Sequence, residues 1–362
     1  MIDTIVISIP FGQFTIRKPE RFTPNASWAQ RDHSVRKGTI SKYNPTPREQ
    51  KAGYKPRLTL MNQAGVRRFE PVLRIEVSLP KLFFGNNFQE LRYKDCTAVV
   101  DKLVLSLVEM GMEVSRDTIM MADVNAIHYG KNIKLTDGST PYHYIKKIQE
   151  SCVPHSLDAN RTDFRNDGHS FKWHCNSYEV VFYDKIKDLE KAKISSKRAL
   201  KNDNEGQLHL LEKFKKRKKV EYLRMEVRLN KRAKMKQLFA KLGIKADLTF
   251  KKLFKPAISK AVLCHYIDEL EKRRSPLLDL KASDDKALLA DLIVNNPNMS
   301  PKQIMQVFGM KKALESYSMG ELQRIFGKHE TRGWEWLTTG INKMKIAKTA
   351  IFNSIRNYVN QK

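Results

Sequence analysis

The central strand pattern of the sequence is Ser177-Tyr178-Glu179-Val180-Val181-Phe182-Tyr183-Asp184-Lys185. Its run of apolar residues, closed at either end by polar ones, predicts a β-strand. Side chains two positions apart on a strand share a face, so Tyr183 and Lys185 project from the same side of the chain. The stretch therefore brings a phenol and an amine together.

A second strand pattern follows about forty residues later, at Leu223–Leu229. Arg224, Glu226 and Arg228 share one face of this strand, and four apolar side chains share the other. We expect the apolar face to be core and the charged face to be a site.

The phrase that contains this second strand also stands earlier in the chain. Leu73–Lys81 matches Leu223–Lys231 at six of nine positions, and Ile75 replaces Met225 at a seventh. One interpretation is an internal duplication, in which two equivalent strands each present an Arg-x-Glu pair. The other is chance in an apolar phrase, with each glutamate paired to a neighbouring arginine.

Charge is the strongest signal in the composition. The 362 residues include 67 Lys and Arg against 39 Asp and Glu, a formal net charge of +28. A chain this basic indicates a polyanionic partner, and nucleic acid is the commonest one. Twelve of the basic residues lie between Lys213 and Lys236, around the second strand, where they favour contact with phosphates. No apolar run approaches the length of a membrane-spanning helix, and we expect a cytoplasmic protein with no membrane partner.

The remaining patterns predict an α+β protein with two domains. Residues 1–248 would form a central antiparallel sheet with helices on one face, and helical periodicity is clear over 97–112 and 140–152. Within this domain, 11–70 reads as an irregular basic arm. Prolines separating short helical segments predict an all-helical C-terminal domain over 249–362.

In its ordered motifs the sequence resembles the filamentous-phage initiator of rolling-circle replication, a strand-nicking endonuclease, and more distantly the rolling-circle plasmid initiators of the HUH-like superfamily. The resemblance covers roughly the first 245 residues. It is carried by Met1-Ile2-Asp3, Pro10-Phe11, Glu76-Val77, Pro80-Lys81 with Gly85 and Asn87, Tyr183-Asp184-Lys185 and Arg224-Met225-Glu226.

This resemblance implies a nucleophilic tyrosine on a strand, at Tyr183. Tyrosine attack leaves a 5′-phosphate covalently bound to the protein and conserves the bond for rejoining. A free phenol has a pKa of about 10 and is mostly protonated near neutrality. Lys185, on the same face, is the expected catalytic neighbour, which would lower that pKa or neutralise the phosphate.

The resemblance also implies acidic metal ligands on neighbouring strands. The matching positions are Asp123 and Glu226, with Glu76 as a third candidate. Carboxylates suit Mg²⁺ or Mn²⁺. The His-hydrophobic-His pair that names the superfamily is missing from this chain. His128 lies five residues after Asp123, so only a β-bulge would place both on one face.

Three functions of different classes follow from these patterns. The first is a metal-assisted tyrosine nickase and ligase that acts on single-stranded or melted origin DNA, with the host replication helicase or polymerase as a further partner. The second is a basic DNA-binding protein without catalysis. The third is a metal-dependent nuclease that activates water.

Overall fold

A computed structural model describes residues 1–29, 38–46, 48–49, 53–64, 69–135, 140–149, 162–165, 169–188 and 221–272. Within these ranges twelve strands form a ten-stranded antiparallel sheet and a two-stranded one. The strands are β1 (Ile2–Pro10), β2 (Phe14–Ile16), β3 (Phe22–Thr23), β4 (Ile40–Tyr43), β5 (Arg57–Ala64), β6 (Phe69–Ser78), β7 (Met112–Val114), β8 (Asp123–Leu135), β9 (Thr162–Arg165), β10 (Ser170–His174), β11 (Tyr178–Asp184) and β12 (Glu221–Leu229).

Helices cover one face of the large sheet. They are α1 (Leu79–Phe84), α2 (Cys96–Glu109), α3 (Arg116–Met121), α4 (Pro141–Gln149), α5 (Arg232–Lys241), α6 (Phe250–Leu253) and α7 (Pro256–Lys272), with 3-10 turns at Pro19–Arg21, Ala26–Ala29 and Tyr93–Asp95. Strand residues such as Ile5 and Val227 share one apolar core with Val99 of α2 and Val262 of α7. The predicted α+β class, with an antiparallel sheet and helices on one face, is confirmed. Within the described ranges, no helix has the length and apolar character needed to cross a membrane.

The strand order shows two halves with the same path. The large sheet runs β3-β4-β5-β6-β1-β8-β12-β11-β10-β9. In each half the first strand lies at the centre, the last strand pairs with it, and the others follow outward in reverse order. The repeated phrase falls on β6 and β12, the last strand of each half. The topology therefore favours duplication over chance as the origin of the repeat.

The expectation of an irregular arm over 11–70 is wrong in the parts that the structure describes. Four strands, β2 to β5, lie there, and β3, β4 and β5 extend the large sheet. The alternation that marks β5 is present in the sequence, because Leu58 and Leu60 are buried on one face of that strand. The polar and proline-rich composition around it obscured a period of only a few residues.

The domain boundary at 248 stays a prediction. Immediately after it, α6 and α7 pack on the same core, where Phe250, Phe254 and Tyr266 are buried. Most of the predicted C-terminal helical domain, from 273 onward, lies outside the described residues. So do the basic residues from 213 to 219.

Candidate active site

The charged face predicted for β12 lies beside a neighbouring strand that carries Tyr183. In the antiparallel pair of β11 and β12, Tyr183 lies opposite Arg224 and Val181 lies opposite Glu226. Opposite residues of an antiparallel pair point to the same face of the sheet. The register therefore places the phenol among the charged side chains of β12, on the face away from the apolar core.

A single carboxylate organises the charges here. The Tyr183 hydroxyl donates to Glu226 Oε1 at 2.7 Å, and Arg224 Nε donates to the same oxygen at 2.7 Å. Arg228 donates from Nη2 to the other oxygen, Oε2, at 2.9 Å. We call Asp3, Tyr183, Arg224, Glu226 and Arg228 the tyrosine cluster. Its carboxylate is ion-paired on both oxygens, which is the condition for burying a charge in a protein.

Asp3 belongs to this cluster because of a bulge in β1. The pairing of β1 with β8 shifts by one residue between Ile2 and Thr4, which leaves Asp3 as the extra residue. A bulge re-aims a side chain, and here Asp3 Oδ1 accepts from Arg224 Nη2 at 2.8 Å. The sequence analysis did not assign Asp3 to the site. An acid within an apolar strand pattern was the available signal, and the structure shows that this acid is buried.

Gly130 makes room for the cluster on the adjacent strand. It pairs with Glu226 across β8 and β12. A Cβ at Gly130 would lie 2.7 Å from Arg224 Nη2 and 3.3 Å from Glu226 Cγ. The position therefore requires glycine for space, as a glycine inside a strand often does.

The duplicated strand shows what happens without that space. Glu76 on β6 corresponds to Glu226, but it pairs with Val6, where Glu226 pairs with Gly130. Glu76 is exposed and contacts Arg57 at 3.4 Å. On the neighbouring strand β5, Thr59 lies opposite Arg74, which is the place equivalent to Tyr183. The first half of the sheet thus holds the same phrase with its glutamate outside a buried cluster, and with a threonine where the second half has Tyr183.

A loop closes one end of the tyrosine cluster. Asn86 is buried and accepts from the backbone N–H groups of Phe88 and Gln89, which fixes the loop that follows α1. Asn87 then accepts from Arg224 Nη1 through its backbone oxygen at 3.3 Å. Its side-chain oxygen accepts from Lys185 Nζ at 2.8 Å.

Lys185 lies beside the phenol. Its ammonium group is 5.4 Å from the centre of the Tyr183 ring and is fully buried. Asp184, between them, accepts from the backbone N–H groups of Ile186 and Lys187 and so caps a helical turn that starts at Lys185. Burial lowers the pKa of Lys185, although the charge of Asp188 opposes this.

The pKa values of Tyr183 and Glu226 are shifted in opposite directions. Burial, followed by the negative charge of Glu226, raises the pKa of the Tyr183 phenol well above 10. Burial alone would raise the pKa of Glu226 too, but the charges of Arg228 and Arg224 outweigh it and hold that pKa well below 4.5. The resting site is a protonated phenol that donates to an ionised carboxylate.

The three predicted metal ligands share this face of the sheet but not one position on it. Asp123 is exposed at the start of β8 and pairs with Arg232 at 2.9 Å. From the strand register, Asp123 and Glu76 each lie about 20 Å from Glu226. Within the described part of the chain, no group of three or more His, Cys, Asp or Glu side chains could hold an ion. The metal assignment stays a prediction.

His128 lies on the same face as Asp123 because β8 carries the required bulge. Val6 pairs with Ala126 and Ile7 with Val124, which leaves Asn125 as an extra residue on β8. Burial, and then the charge of Arg228, lowers the pKa of His128, so its imidazole is neutral at pH 7.

The comparisons with known proteins identify the family. A family model described as the N-terminal part of a phage replication-associated protein matches residues 1–252 of 362. The chain belongs to this family. The expected resemblance to phage initiators of rolling-circle replication is thereby confirmed, and a role in starting such replication follows from it.

Two other comparisons add little to this. No protein with a curated description matches the sequence. The solved rolling-circle replication initiator protein from Geobacillus stearothermophilus is similar over 75% of this chain and 84% of its own, at 9% identity and a TM-score of 0.29. A likeness of that size carries no argument about fold or function.

The space at Gly130 can be tested by a double-mutant cycle. We expect Gly130→Ala to lower the free energy of unfolding by about 1–3 kcal/mol, because the new methyl group meets Arg224. In an Arg224→Gln background the same change should cost at least about 1 kcal/mol less. Urea denaturation of the four proteins measures both values, and equal costs in the two backgrounds would show that the guanidinium is not what fills the space.

The buried carboxylate predicts a pH dependence of stability. We expect Glu226→Gln to cost about 3 kcal/mol at pH 7, because two arginines lose the carboxylate that they share, and Asp3 and Glu179 alone remain to balance them. The folded-state pKa of Glu226 is depressed, so its contribution is full above about 4.5 and is lost as the pH falls through that lower pKa. Denaturation at pH 7 and at about pH 3 should therefore show the difference shrinking in acid.

The control for this experiment is Glu109→Gln, which removes an exposed partner of Lys55. It should change stability little at either pH. An effect of Glu226→Gln that is as large in acid as at neutrality would mean that shape, and not charge, explains the loss.

Proposed function

We propose that this protein nicks one strand at a phage or plasmid origin by attack of Tyr183 on a phosphodiester, and later rejoins the strand. The observation that carries the proposal is the Tyr183 hydroxyl, 2.7 Å from Glu226 Oε1 in a cluster that also holds two arginines. A nucleophile bonded to a base that other groups hold in place is the arrangement that covalent catalysis requires. Family membership supports the same reaction class.

The proposed step transfers the phosphate from the 3′ oxygen of the DNA to the oxygen of Tyr183. The phenol proton moves to Glu226, the phenolic oxygen forms a bond to phosphorus, and the bond from phosphorus to the 3′ oxygen breaks. The leaving 3′ oxygen takes a proton from solvent, and the 5′-phosphate stays on Tyr183. Religation is the reverse reaction, in which the 3′ hydroxyl attacks the phosphotyrosine bond.

Arg228 is the cation that an incoming phosphate would meet. Its side chain is 32% exposed, whereas that of Arg224 is 4% exposed. A phosphate that takes hydrogen bonds from Arg228 weakens the hold of this residue on Glu226, which raises the pKa of that carboxylate. Substrate binding would thus bring the base and the phenol closer in proton affinity.

The proposed step does not pass through a divalent ion. Both oxygens of Glu226 accept from arginines, and Asp123 and Glu76 lie elsewhere on the sheet. The three predicted ligands therefore do not fit around one ion in this arrangement. A requirement for Mg²⁺ or Mn²⁺, the host helicase or polymerase as a partner, and a bacterial cytoplasmic location stay predictions.

The nucleophile can be tested by trapping the covalent product. Incubation with single-stranded origin DNA and Mg²⁺ or Mn²⁺ should give a denaturation-resistant protein–DNA adduct for the wild-type chain, and a parallel reaction with a chelator tests whether an ion is required. Tyr183→Phe should give none, because the attacking oxygen is gone, while salt-sensitive DNA binding persists. The adduct is counted on a denaturing gel with labelled DNA, in parallel for each ion.

Tyr93→Phe is the matched control, because Tyr93 is exposed and lies outside the cluster. An adduct that persists in Tyr183→Phe would reassign the nucleophile. Free cut ends without an adduct would favour a nuclease that uses water, and retarded but intact DNA would favour a binding protein without catalysis.

A second variant tests Lys185. We expect Lys185→Met to slow adduct formation by roughly 10- to 100-fold, because a positive charge beside the reacting phosphate is lost. Lys187→Met, an exposed neighbour, should leave the rate unchanged. Rates are compared in single-turnover reactions at saturating protein. An unchanged rate in Lys185→Met would make this lysine only a structural partner of Asn87.

A further inference from the structure

The segment that follows β12 is far more basic than the chain as a whole. Residues 231–260 contain ten Lys and Arg but only one acid, Asp247. Every residue of this segment is described, so its lysines can be placed. The segment builds α5, a connecting loop, α6 and the start of α7.

The apolar residues of the segment face the core, which turns the lysines outward. Met235, Leu238 and Phe239 of α5 are buried, as are Phe250 and Leu253 of α6. Seven lysines on and around these elements are exposed. We call them the lysine surface: Lys231, Lys236, Lys241, Lys245, Lys251, Lys252 and Lys255.

Little of this charge is neutralised within the protein. Lys241 contacts Glu269 at 3.5 Å. Among the described residues, the other six members of the lysine surface form no ion pair. Unpaired charges of one sign repel each other and lower the stability of the folded state slightly. The same charges favour binding of a polyanion.

The lysine surface borders a cavity with partly apolar walls. The cavity has a volume of about 490 Å³, with Phe239, Ile244 and Leu248 among the apolar residues of its walls. Lys236, Lys245 and Lys252 also line it, together with the single acid of the segment, Asp247, so three positive charges face one negative charge. Ammonium groups beside an apolar trough match a chain that alternates phosphates with sugars and bases.

This surface begins where β12 ends, at the same end of the sheet as Asp123, on helices whose apolar residues pack against the core face, opposite to the tyrosine cluster. Along β12 the chain runs from Arg224 to Asn230, about 20 Å at strand geometry. It then enters α5 at Arg232, which reaches back to Asp123 on the face of the tyrosine cluster. The other end of the cluster is closed by Asn87, so the cluster is bounded on the side away from the lysines.

We propose that the lysine surface binds the phosphodiester backbone of the DNA strand that continues from the Tyr183 site. This inference rests on the proposed function for the identity of that strand. In this proposal residues 231–260 hold the DNA strand, and the tyrosine cluster reacts with one of its phosphates. Binding here would be independent of base sequence, because the contacts are to phosphates.

The test uses the full chain with Lys236, Lys245 and Lys252 changed to Gln together. The probe is an oligothymidylate of about 30 nucleotides, because single-strand binding of this kind tolerates any sequence. Affinity should fall at least about tenfold at 0.1 M salt, and the slope of log affinity against log salt should become about 2 units less steep. The matched control changes Lys18, Lys94 and Lys102, which are also exposed and remove the same charge.

Each outcome decides the proposal. An unchanged slope in the triple variant overturns it, and so does an equal loss in the control, which would mean that affinity follows net charge alone. Adduct formation on an oligonucleotide of about 10 nucleotides that spans only the nick should be retained by the triple variant. Failure of the nickase function would appear differently, as a wild-type chain that forms no adduct but still binds DNA through these lysines.

Thermal unfolding measures whether both triple variants fold. The single variant Lys252→Gln gives a milder version of the same comparison.

Discussion

The site depends on one buried carboxylate that is shared by two guanidinium groups and a phenol. Such a group is stable away from water only if each of its oxygens is paired in good geometry, since an uncompensated buried charge costs several kcal/mol. Glu226 meets this condition through Arg224, Arg228 and Tyr183. A bulge in the sheet and a neighbouring loop add acceptors for the cations around Glu226. The bulge at Asp3 supplies a second acid for Arg224, and the loop at Asn87 supplies two more acceptors to the surrounding cations.

The two halves of the sheet show that the same phrase does not make the same site. Both β6 and β12 present an Arg-x-Glu pair on the same face, in equivalent places of the strand order. On β12 the strand beside the glutamate offers Gly130, and Arg224 and Glu226 are buried. On β6 the neighbour is Val6, whose side chain occupies that space, and Glu76 stays at the surface with Arg57. The difference that matters is in the adjacent strand and not in the phrase, so the recurrence of Glu76 in the motif is not by itself evidence of a ligand.

This explains which parts of the structure the sequence could predict. The hairpin of β10 and β11, the strand β12 and the division of its residues between an apolar and a charged face follow from a period of two within one segment. The tyrosine cluster does not, because its geometry depends on pairings between strands that are up to about 220 residues apart in the chain. Both bulges of the β1–β8 pair are invisible in any single segment. A one-residue shift in β8 is what places His128 and Asp123 on one face, against the expectation for a regular strand.

Under the proposed function, the arrangement would also separate a resting state of the chain from a reactive one. The pKa of the phenol is raised and that of the carboxylate is depressed, so the proton that the proposed attack would have to remove is held on Tyr183 by the same charges that make Glu226 a weak base. A nucleophile that is active only when an anion competes for Arg228 would spare the protein from attacking other electrophiles between substrates. Arg228 is half-buried and bonded to Glu226 and Glu179, whereas Arg224 is buried and bonded to four acceptors. Of the two, Arg228 is the more accessible to a phosphate, and Arg224 keeps the strands in register. Catalysis and stability would then rest on different arginines of the same strand, four residues apart on one face.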